Sequence, residues 1–347
     1  MMSPLLHAQE VSKHFARPPG FRQRIRHRRP HSARVVRAVD RISFTLHAGE
    51  IYGLLGQSGS GKTTLARTLL RLIEPTSGRI TFEGSDILAM SDSALKHHLR
   101  RKARMIFQHP DAALNPAFTV AKILDQALRT HTSLRPAERR DRAGALLQEV
   151  GLSLTYQGKY PNELSSGEKR RVSISRALAT DPLLLIADEP VSGLDVSLQG
   201  RIVDLLLRLR EERGLTLLLI AHDVGLIHRL CDRIGVMYQG TLVEAGTRDV
   251  ISPGACRHPY TRALFDAQLS LLRAPSPWTT TLPVSSIDAP SSTAFVPAYS
   301  GCPYCPTCLR WQHLERPERC VRERPETSRL EENHQVACHF ASDDERH

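Results

Sequence analysis

The stretch GQSGSGKT at residues 56–63 constrains the fold of this chain more than any other feature. It matches the pattern G-x-x-x-x-G-K-[ST], in which glycines let the backbone curl so that its N–H groups face a bound phosphate. The short apolar run IYGLLG (51–56) precedes it, and GKTTLARTLLRLI (61–73) follows with helical spacing of its apolar residues. The segment therefore predicts a buried strand, a phosphate-binding loop and a helix whose positive N-terminal end strengthens anion binding.

The pattern assigns a specific role to several residues of the loop. Lys62 is expected to reach the β- and γ-phosphates, the Thr63 hydroxyl to ligate Mg²⁺, and Thr64 to help with the α-phosphate. A chance match on a glycine-rich turn is the alternative, and the strand and helix on either side argue against it. The predicted nucleotide-binding residues are Gly56, Gln57, Ser58, Gly59, Ser60, Gly61, Lys62, Thr63 and Thr64.

A second buried strand ends in two acids. The segment LLLIADEP (183–190) is apolar up to Asp188 and Glu189. Asp188 is placed to hold Mg²⁺ through water, and Glu189 can polarise the attacking water as general base. The alternative is that the two acids only cap the following turn. Because the phosphate loop lies in the same chain, catalytic roles for the two acids are the favoured prediction.

The order of the elements predicts an α/β fold. The amphipathic segment 197–214 is predicted to be a helix capped by Gly214, and LTLLLIAH (215–222) a buried strand. Strands that alternate with helices favour an α/β sheet. The pattern then stops: residues 271–300, rich in Pro, Ser, Thr and Ala, are predicted to be a linker, and residues 301–347 a Cys-rich extension.

Positive charge is concentrated in one segment. The formal net charge is +11, and residues 16–38 contain eight arginines and no acid. Such a run can bind nucleic acid or anionic lipid, and a solvated loop is the plainer interpretation. The chain start lacks a signal-peptide core, and its apolar runs are far shorter than the ~20 residues of a membrane span. We therefore expect a soluble, cytoplasmic protein, in which clustered cysteines more often bind metal than form disulfides.

Between the two nucleotide motifs lies LSSGEKRRVSISRAL (164–178). Here the sequence resembles the ATP-binding subunits of ABC transporters, whose signature is usually L-S-G-G-Q followed by a basic amphipathic helix. The resemblance covers roughly residues 5–270, and the motifs occur in the expected order. It implies an ATP hydrolase coupled to transport, with an ABC ATP-binding domain over residues 1–270. The implied P-loop NTPase fold has a RecA-like core, an antiparallel β subdomain and a helical subdomain at about residues 100–164.

The resemblance implies roles for three residues outside the first two motifs. Gln108 in MIFQHP looks like the glutamine that senses Mg²⁺ and contacts the membrane partner. His222 in IAHD looks like the switch histidine that clamps the γ-phosphate. Phe15 in VSKHF occupies the place of the aromatic residue that stacks on adenine, with packing in the core as the alternative.

The resemblance also implies a head-to-tail dimer of two such ATPase subunits, either two copies of this chain or two different chains. Ser165 and Gly167 would then contact the γ-phosphate of ATP bound to the other subunit. Asp195 in SGLD looks like the acid of the loop that crosses the interface. Ser166 and Glu168 depart from the signature, and the added carboxylate of Glu168 is expected to weaken closure on ATP in its half-site.

Two membrane-spanning permease subunits and, indirectly, an extracytoplasmic solute-binding protein complete the implied assembly. The chain would lie peripherally on the cytoplasmic face of the inner membrane. No nucleic-acid partner is expected.

One stretch narrows the resemblance to a subfamily. FQHPDAALNPAFTV (107–120) looks like the F-Q-x-P-x-x-x-L-N-P stretch of the dipeptide, oligopeptide and nickel importer ATPases. EPVSGLDVSLQ (189–199) and HPYTRALFDA (258–267) agree with that subfamily. Peptide uptake is the favoured prediction. The alternatives are a nickel importer ATPase, an accessory ATPase of phosphonate breakdown and a soluble ABC ATPase without a membrane partner.

The tail GCPYCPTC (301–308) and the cysteines after it fit an extension that ATPases of this subfamily often carry, of the form G-C-x₅-C … C … V-A-C-H. Some relatives are thought to hold an iron–sulfur cluster there. Four thiolates suit either a [4Fe–4S] cluster or Zn²⁺, and a tail of reduced, unliganded thiols is the alternative. Cys305 is additional to the pattern, and Cys231 and Cys256 are expected to be ordinary residues. The candidate ligands are Cys302, Cys308, Cys320 and Cys338.

Overall fold

The computed structural model describes residues 4–17, 34–272 and 300–342. Most of the arginine-rich segment, residues 18–33, and most of the predicted linker, residues 273–299, lie outside the described residues.

The described residues form strands and helices that alternate along most of the chain. The strands are β1 Pro4–Arg17, β2 Arg34–His47, β3 Ile51–Leu55, β4 Ser77–Phe82, β5 Ser85–Asp86, β6 Ala103–Ile106, β7 Leu184–Asp188, β8 Thr216–Ala221, β9 Arg233–Tyr238, β10 Thr241–Thr247, β11 Ser328–Glu331 and β12 His334–Val336. The helices are α1 Lys62–Leu69, α2 Asp92–His98, α3 Pro110–Ala113, α4 Val120–His131, α5 Pro136–Glu149, α6 Ser166–Leu178, α7 Val196–Arg213, α8 Val224–Leu230, α9 Pro259–Leu272, α10 Leu309–His313 and α11 Glu318–Arg322. This order confirms the predicted α/β fold.

The chain divides into two compact units. The described residues of the first unit are 4–10, 43–52 and 66–221. Those of the second unit are 11–17, 34–42, 53–65, 222–272 and 300–342. The predicted hydrolytic acids therefore belong to the first unit, and the phosphate loop and the Cys-rich tail to the second.

The first unit contains a parallel sheet in the order β6–β7–β8. The register pairs Ile106 with Ala187 and Asp188 with Ile220. Every residue of β7 and β8 is buried, as the apolar runs in the sequence predict for strands covered on both faces. A second sheet has the strand order β2–β1–β4–β5, to which the first unit contributes β4, β5 and residues 4–10 and 43–47 of β1 and β2.

A helical region separates β6 from the signature helix α6 in the chain. It comprises α3, α4, α5 and two short 3₁₀ helices, Leu154–Gly158 and Pro161–Glu163. Thr119 is the N-cap of α4, and its hydroxyl accepts the N–H of Lys122. The helix buries an apolar stripe of four residues. The helical subdomain predicted at about residues 100–164 stays a prediction, since residues 66–221 all belong to the same compact unit.

The second unit contains strands in the order β11–β12–β10–β9–β3, with residues 53–55 as its part of β3. β12 pairs antiparallel with β10, so that Glu244 lies opposite Val336 and Gly246 opposite His334. The Cys-rich tail therefore adds two strands to the sheet that also carries β3, the strand that precedes the phosphate loop.

Across residues 4–17, 34–272 and 300–342, no helix combines the length and the apolar character that a transmembrane segment requires.

Helix α7 starts and stops where the sequence predicts. Asp195 accepts the N–H of Leu198 at 2.9 Å and caps the N-terminus. Gly214 ends the helix in the left-handed conformation, with φ of 64° and ψ of 31°. Since a side chain at this conformation carries a steric penalty, glycine is the residue that suits this position.

We expect Gly214→Ala to lower the free energy of unfolding by about 1 kcal/mol, measured from the midpoint of urea denaturation. Gly200→Ala is the matched control, because Gly200 lies inside the same helix and an added Cβ would meet nothing within 4 Å. The control should be neutral or stabilising by about 0.5–1 kcal/mol. Equal effects of the two changes would contradict the assigned role of Gly214.

Candidate nucleotide-binding site

The phosphate loop of the second unit follows β3 directly and leads into α1, which begins at Lys62. Gly56 has a φ of 154°, and a Cβ built there would lie 2.3 Å from the carbonyl oxygen of Met237. Gly61 has a φ of 103°, and its Cβ would lie 2.1 Å from the carbonyl oxygen of Ala38. Both positions therefore require glycine, because the backbone of the loop lies directly against β9 and β2.

The Lys62 side chain lies along the inside of this loop and is buried. Its Nζ donates hydrogen bonds to the carbonyl oxygens of Gly56 at 2.6 Å and Gln57 at 2.9 Å, and contacts the Ser60 hydroxyl at 3.4 Å. The ammonium group is thus held in the concave side of the loop, where an anionic phosphate would offer it a stronger partner than neutral carbonyls.

The other predicted loop residues fall on either side of this lysine. Ser58 and Gly59 form the exposed tip, and Thr63 and Thr64 lie half-buried in the first turn of α1. The Thr63 hydroxyl is the type of oxygen that Mg²⁺ accepts as a ligand. The loop thus supplies a curled backbone, a cation, hydroxyl groups and a helix N-terminus, which together suit a polyphosphate.

A backbone ladder supports the loop from behind. The N–H of Gly240 donates to the carbonyl of Ser60 at 2.8 Å, and the N–H of Asp40 donates to the carbonyl of Gly240 at 2.8 Å. The carboxylate of Asp40 in turn accepts a hydrogen bond from Arg324 of the tail. The loop is therefore tied to β2, to the β9–β10 turn and, through Asp40, to the C-terminal segment.

Phe15 and His222 also belong to the second unit. Phe15 is 41% exposed on β1, with the Lys13 ammonium 5.1 Å from its ring centroid. Its exposure excludes the core-packing alternative and leaves a face for a flat ring. His222 is exposed immediately after β8, and the next residue, Asp223, caps α8 by accepting the N–H of Leu226.

The two acids of the first unit lie where β7 ends. Asp188 is the last residue of this strand and is 2% exposed. Glu189 follows in the left-handed conformation, with φ of 46°, and its N–H donates to the carbonyl of Ile220 at 2.9 Å. A glutamate held in this conformation is strained, and such strain is concentrated at functional sites.

Gln108 contacts one of these acids directly. Its Nε2 donates to Glu189 Oε2 at 2.7 Å. The parallel register explains the contact, since Ile106 on β6 pairs with Ala187 on β7 and each partner lies two residues further along its chain. The structure therefore brings together two of the predicted catalytic residues, a carboxylate and the amide that orients it.

The signature segment forms the N-terminus of α6. Ser165 accepts the N–H of Glu168 at 3.4 Å, and Glu168 Oε2 accepts the N–H of Ser165 at 2.8 Å, which is a reciprocal capping box. The Tyr156 hydroxyl donates to the other oxygen of Glu168, and this hydrogen bond is the main reason that the pKa of Glu168 is lowered. Gly167 is buried, and its added Cβ would meet Leu198 at 3.4 Å.

Asp195 is exposed at the start of α7, where it serves as the helix cap. Its carboxylate accepts the Ser197 hydroxyl at 2.7 Å as well as the N–H of Leu198. The Ser197 hydrogen bond is the largest of the interactions that lower the pKa of Asp195. The residue therefore carries a full negative charge at neutral pH.

The five cysteines of the tail border one small cavity, which we call the sulfur cavity. It has a volume of about 20 Å³. Burial raises the pKa of all five thiols, that of Cys302 to about 12 and that of Cys320 to about 11. In the described part of the chain, however, no three His, Cys, Asp or Glu side chains are grouped so that they could hold a metal ion. The cysteines that border the cavity are Cys302, Cys305, Cys308, Cys320 and Cys338.

Comparison with known proteins identifies the family. The ABC transporter family model matches residues 39–192. The probable peptide ABC transporter ATP-binding protein y4tS of Sinorhizobium fredii is 37% identical over 346 residues, which cover 98% of this chain and 90% of the relative. The chain belongs to the ABC transporter family.

Two further comparisons agree. The oligopeptide transport ATP-binding protein OppF of Bacillus subtilis is 41% identical over 77% of this ABC protein and 83% of the relative. Among solved structures, the dimeric post-hydrolysis state of the ATP-binding cassette MJ0796 with ADP and Pi matches with a TM-score of 0.61 and 26% identity. The match covers 70% of this chain and 98% of the cassette, so the predicted ABC-type P-loop fold is confirmed.

The structure adds a site residue that the sequence motifs did not point to. Arg170 of α6 is 2% exposed, and its guanidinium donates to the carbonyls of Phe107 at 2.8 Å and Gln108 at 2.9 Å. Burial lowers the pKa of Arg170, while the charges of Asp188 and Glu189 oppose that shift. Arg170 belongs to the basic run EKRR after the signature, but the sequence does not show which of these basic side chains is buried against the backbone of Gln108.

We expect Arg170→Met to lower kcat for ATP about 10- to 100-fold, because the backbone at Phe107 and Gln108 loses its two hydrogen bonds and the Gln108 amide no longer orients Glu189. ATP affinity should stay within about twofold of wild type. Arg171→Met is the matched control, since the guanidinium of Arg171 donates instead to the carbonyl of Val150. Steady-state hydrolysis and ATP titration measure both effects, and an equal loss of kcat in the control would contradict the assignment.

Proposed function

We propose that this chain is the ATP-hydrolysing subunit of an ABC importer that takes up peptides. The observation that carries the proposal is the Gln108–Glu189 hydrogen bond at 2.7 Å at the end of a buried parallel strand. The phosphate loop with its buried Lys62 supplies the nucleotide-binding part. The relatives y4tS and OppF carry peptide and oligopeptide transport in their names, which favours peptides over nickel or a phosphonate-related substrate.

The predicted catalytic residues would divide the chemistry between them. Glu189 accepts the proton of the attacking water, and Gln108 holds the carboxylate in place for that step. His222 and Lys62 would contact the terminal phosphate and stabilise the negative charge on its oxygens during the transfer. Within the first unit, the parallel register of β6 and β7 already holds Gln108 against Glu189.

The donor set for Mg²⁺ suits the ion. The residues that would hold it are Thr63, Gln108 and Asp188, which offer hydroxyl, amide and carboxylate oxygens of the kind that Mg²⁺ prefers. Asp188 is 2% exposed at the end of β7, and a cation stabilises a carboxylate in so buried a place, which supports a role in ion binding. When bound, Mg²⁺ would neutralise charge on the β- and γ-phosphates.

The proposal includes partners. A second ABC ATPase subunit, identical or different, would bind ATP together with Ser165, Gly167 and Asp195 of this chain, and two permease subunits would form the transport path. The capping contacts of Ser165 and Asp195 support this arrangement, because they fix the two loops that the interface would use. The chain would then lie on the cytoplasmic face of the membrane and would respond indirectly to a solute-binding protein outside.

The tail is proposed to bind metal through Cys302, Cys308, Cys320 and Cys338, as either a [4Fe–4S] cluster or Zn²⁺. Their convergence on the sulfur cavity and their soft thiol donors support the proposal. Since the described side chains are not grouped at metal-binding spacing, the thiols must turn toward a common centre when the metal enters.

Anaerobic purification followed by metal analysis and an absorption spectrum tests this part of the proposal. We expect either about four irons and a brown protein or about one zinc per chain. Cys320→Ser should remove the metal, whereas Cys231→Ser, which changes a buried cysteine outside the tail, should keep it. Metal-free protein with full ATPase activity would contradict a metal site in the tail.

The transport role is tested with Glu189→Gln in cells that depend on this chain. The variant should bind ATP with unchanged affinity and lower hydrolysis at least ~100-fold, because the general base is lost while the shape of the side chain is kept. Uptake of a labelled oligopeptide should fall to the level of cells without the gene, and uptake of ⁶³Ni²⁺ should not change.

Two outcomes would contradict the proposal. Hydrolysis at the wild-type rate in Glu189→Gln would mean that Glu189 is not the base. Normal peptide uptake with lost nickel uptake would make nickel the transported solute.

A further inference from the structure

The segment HPYT (258–261) forms the start of α9 and has no part in the proposed mechanism. Pro259 is the first residue of the helix, where its missing N–H costs nothing. The ring of His258 takes the place of a capping side chain, since its Nδ1 accepts the N–H of Tyr260 at 3.1 Å. Burial lowers the pKa of His258 to about 4, so the ring is neutral and can accept this bond.

A buried carboxylate anchors this turn. Glu244 of β10 is 1% exposed and accepts the N–H groups of Arg257 at 2.6 Å and His258 at 3.2 Å. Its carboxylate also contacts the ring Nε2 of His334, on β12 of the tail, at 2.8 Å. The orientation of Tyr260 at the start of α9 is therefore fixed jointly by β10 and by the C-terminal tail.

Tyr260 reaches the phosphate loop. Its side chain is 2% exposed, and its hydroxyl accepts the backbone N–H of Gln57 at 3.1 Å. The carbonyl of the same Gln57 accepts the Lys62 ammonium at 2.9 Å and the N–H of Ser60 at 3.2 Å. The first turn of the loop is thus held from both sides, by Tyr260 outside and by Lys62 inside.

The tail holds the ring of Tyr260 in turn. Tyr260 packs against Tyr238 with the ring centroids 4.6 Å apart, and against Tyr304 with the centroids 5.4 Å apart. Tyr304 lies between Cys302 and Cys305 and borders the sulfur cavity. A continuous series of contacts therefore leads from the cysteines of the tail, through two tyrosine rings, to the backbone of the phosphate loop.

We propose that Tyr260 is a positioning residue for nucleotide binding, and that Tyr304 of the Cys-rich tail holds it in place. The tail then sets the affinity of the loop for ATP. This inference rests on the proposed function only in that the loop binds ATP. Tyr260 does not touch the nucleotide, because its effect passes through the peptide N–H of Gln57.

The physical reason is preorganisation. A loop whose first turn is already fixed loses less conformational freedom when the phosphates bind. Removing the Tyr260 hydroxyl takes away its hydrogen bond to the part-buried N–H of Gln57, so that the first turn of the loop is held less firmly. Since the contact involves no reacting atom, its loss should weaken binding of the ground state and the transition state equally, which raises KM and leaves kcat unchanged.

The experiment compares Tyr260→Phe with Tyr238→Phe in the full chain. Both variants keep the aromatic cluster. The hydroxyl of Tyr238 accepts a hydrogen bond from Nε2 of Gln239 at 3.3 Å and hydrogen bonds to Thr307, whereas the hydroxyl of Tyr260 accepts a loop N–H. We expect Tyr260→Phe to raise the Kd and KM for Mg·ATP about fivefold with kcat within about twofold of wild type. Tyr238→Phe should leave all three constants within about twofold. Thermal unfolding without nucleotide checks that both variants are folded.

A second pair of variants tests the contribution of the tail. Tyr304→Ala removes the ring that packs on Tyr260 and should raise the Kd for Mg·ATP, as Tyr260→Phe does. Tyr304→Phe keeps the ring and should leave the Kd unchanged.

The outcomes separate this inference from the proposed function. If wild-type protein binds no ATP, the proposed function fails first. If wild type binds ATP and Tyr260→Phe binds it equally well, or if Tyr238→Phe weakens binding as much, the positioning role is wrong. If Tyr260→Phe lowers kcat at unchanged KM, the hydroxyl acts in the hydrolytic step and the inference is also overturned.

Discussion

Contact between the backbone of the phosphate loop and neighbouring carbonyl groups is the constraint on which the second unit depends. A Cβ at Gly56 or Gly61 would lie within 2.3 Å of an oxygen on β9 or β2. The same closeness lets Gly240 hydrogen bond to Ser60 and complete a ladder behind the loop. Because these contacts hold the loop in its curved shape without a nucleotide, the curvature does not have to be created when ATP binds.

The predicted hydrolytic residues of the first unit depend on a different kind of order, the register of three parallel strands. β6 and β7 pair so that the residues beyond their carboxyl ends meet, and this brings the amide of Gln108 to the carboxylate of Glu189. Arg170 fixes the backbone of Gln108 from the signature helix. The helix that begins at the signature therefore also supports the candidate site within its own chain.

The motifs of this chain were readable from sequence because each is local. The phosphate loop, the acids after β7 and the cap at Gly214 follow from neighbouring residues and were located to within a residue or two. The contacts of Arg170 with Gln108 and of Tyr260 with Gln57 join residues 62 and 203 positions apart, and no local pattern specifies them. Sequence also left open whether Phe15 lies in the core, which its 41% exposure excludes. The predicted roles of the signature, of Asp195 and of the metal ligands in the tail stay predictions.

The central claim is that the phosphate loop is a preformed ATP site with Lys62 as its cation. Calorimetric titration of Mg·ATP into wild-type protein and Lys62→Ala tests this most directly. We predict saturable binding at about one ATP per chain for wild type, and at least ~10-fold weaker binding for the variant, because a charge-assisted hydrogen bond to phosphate is lost. Equal affinity of the two proteins would contradict the account.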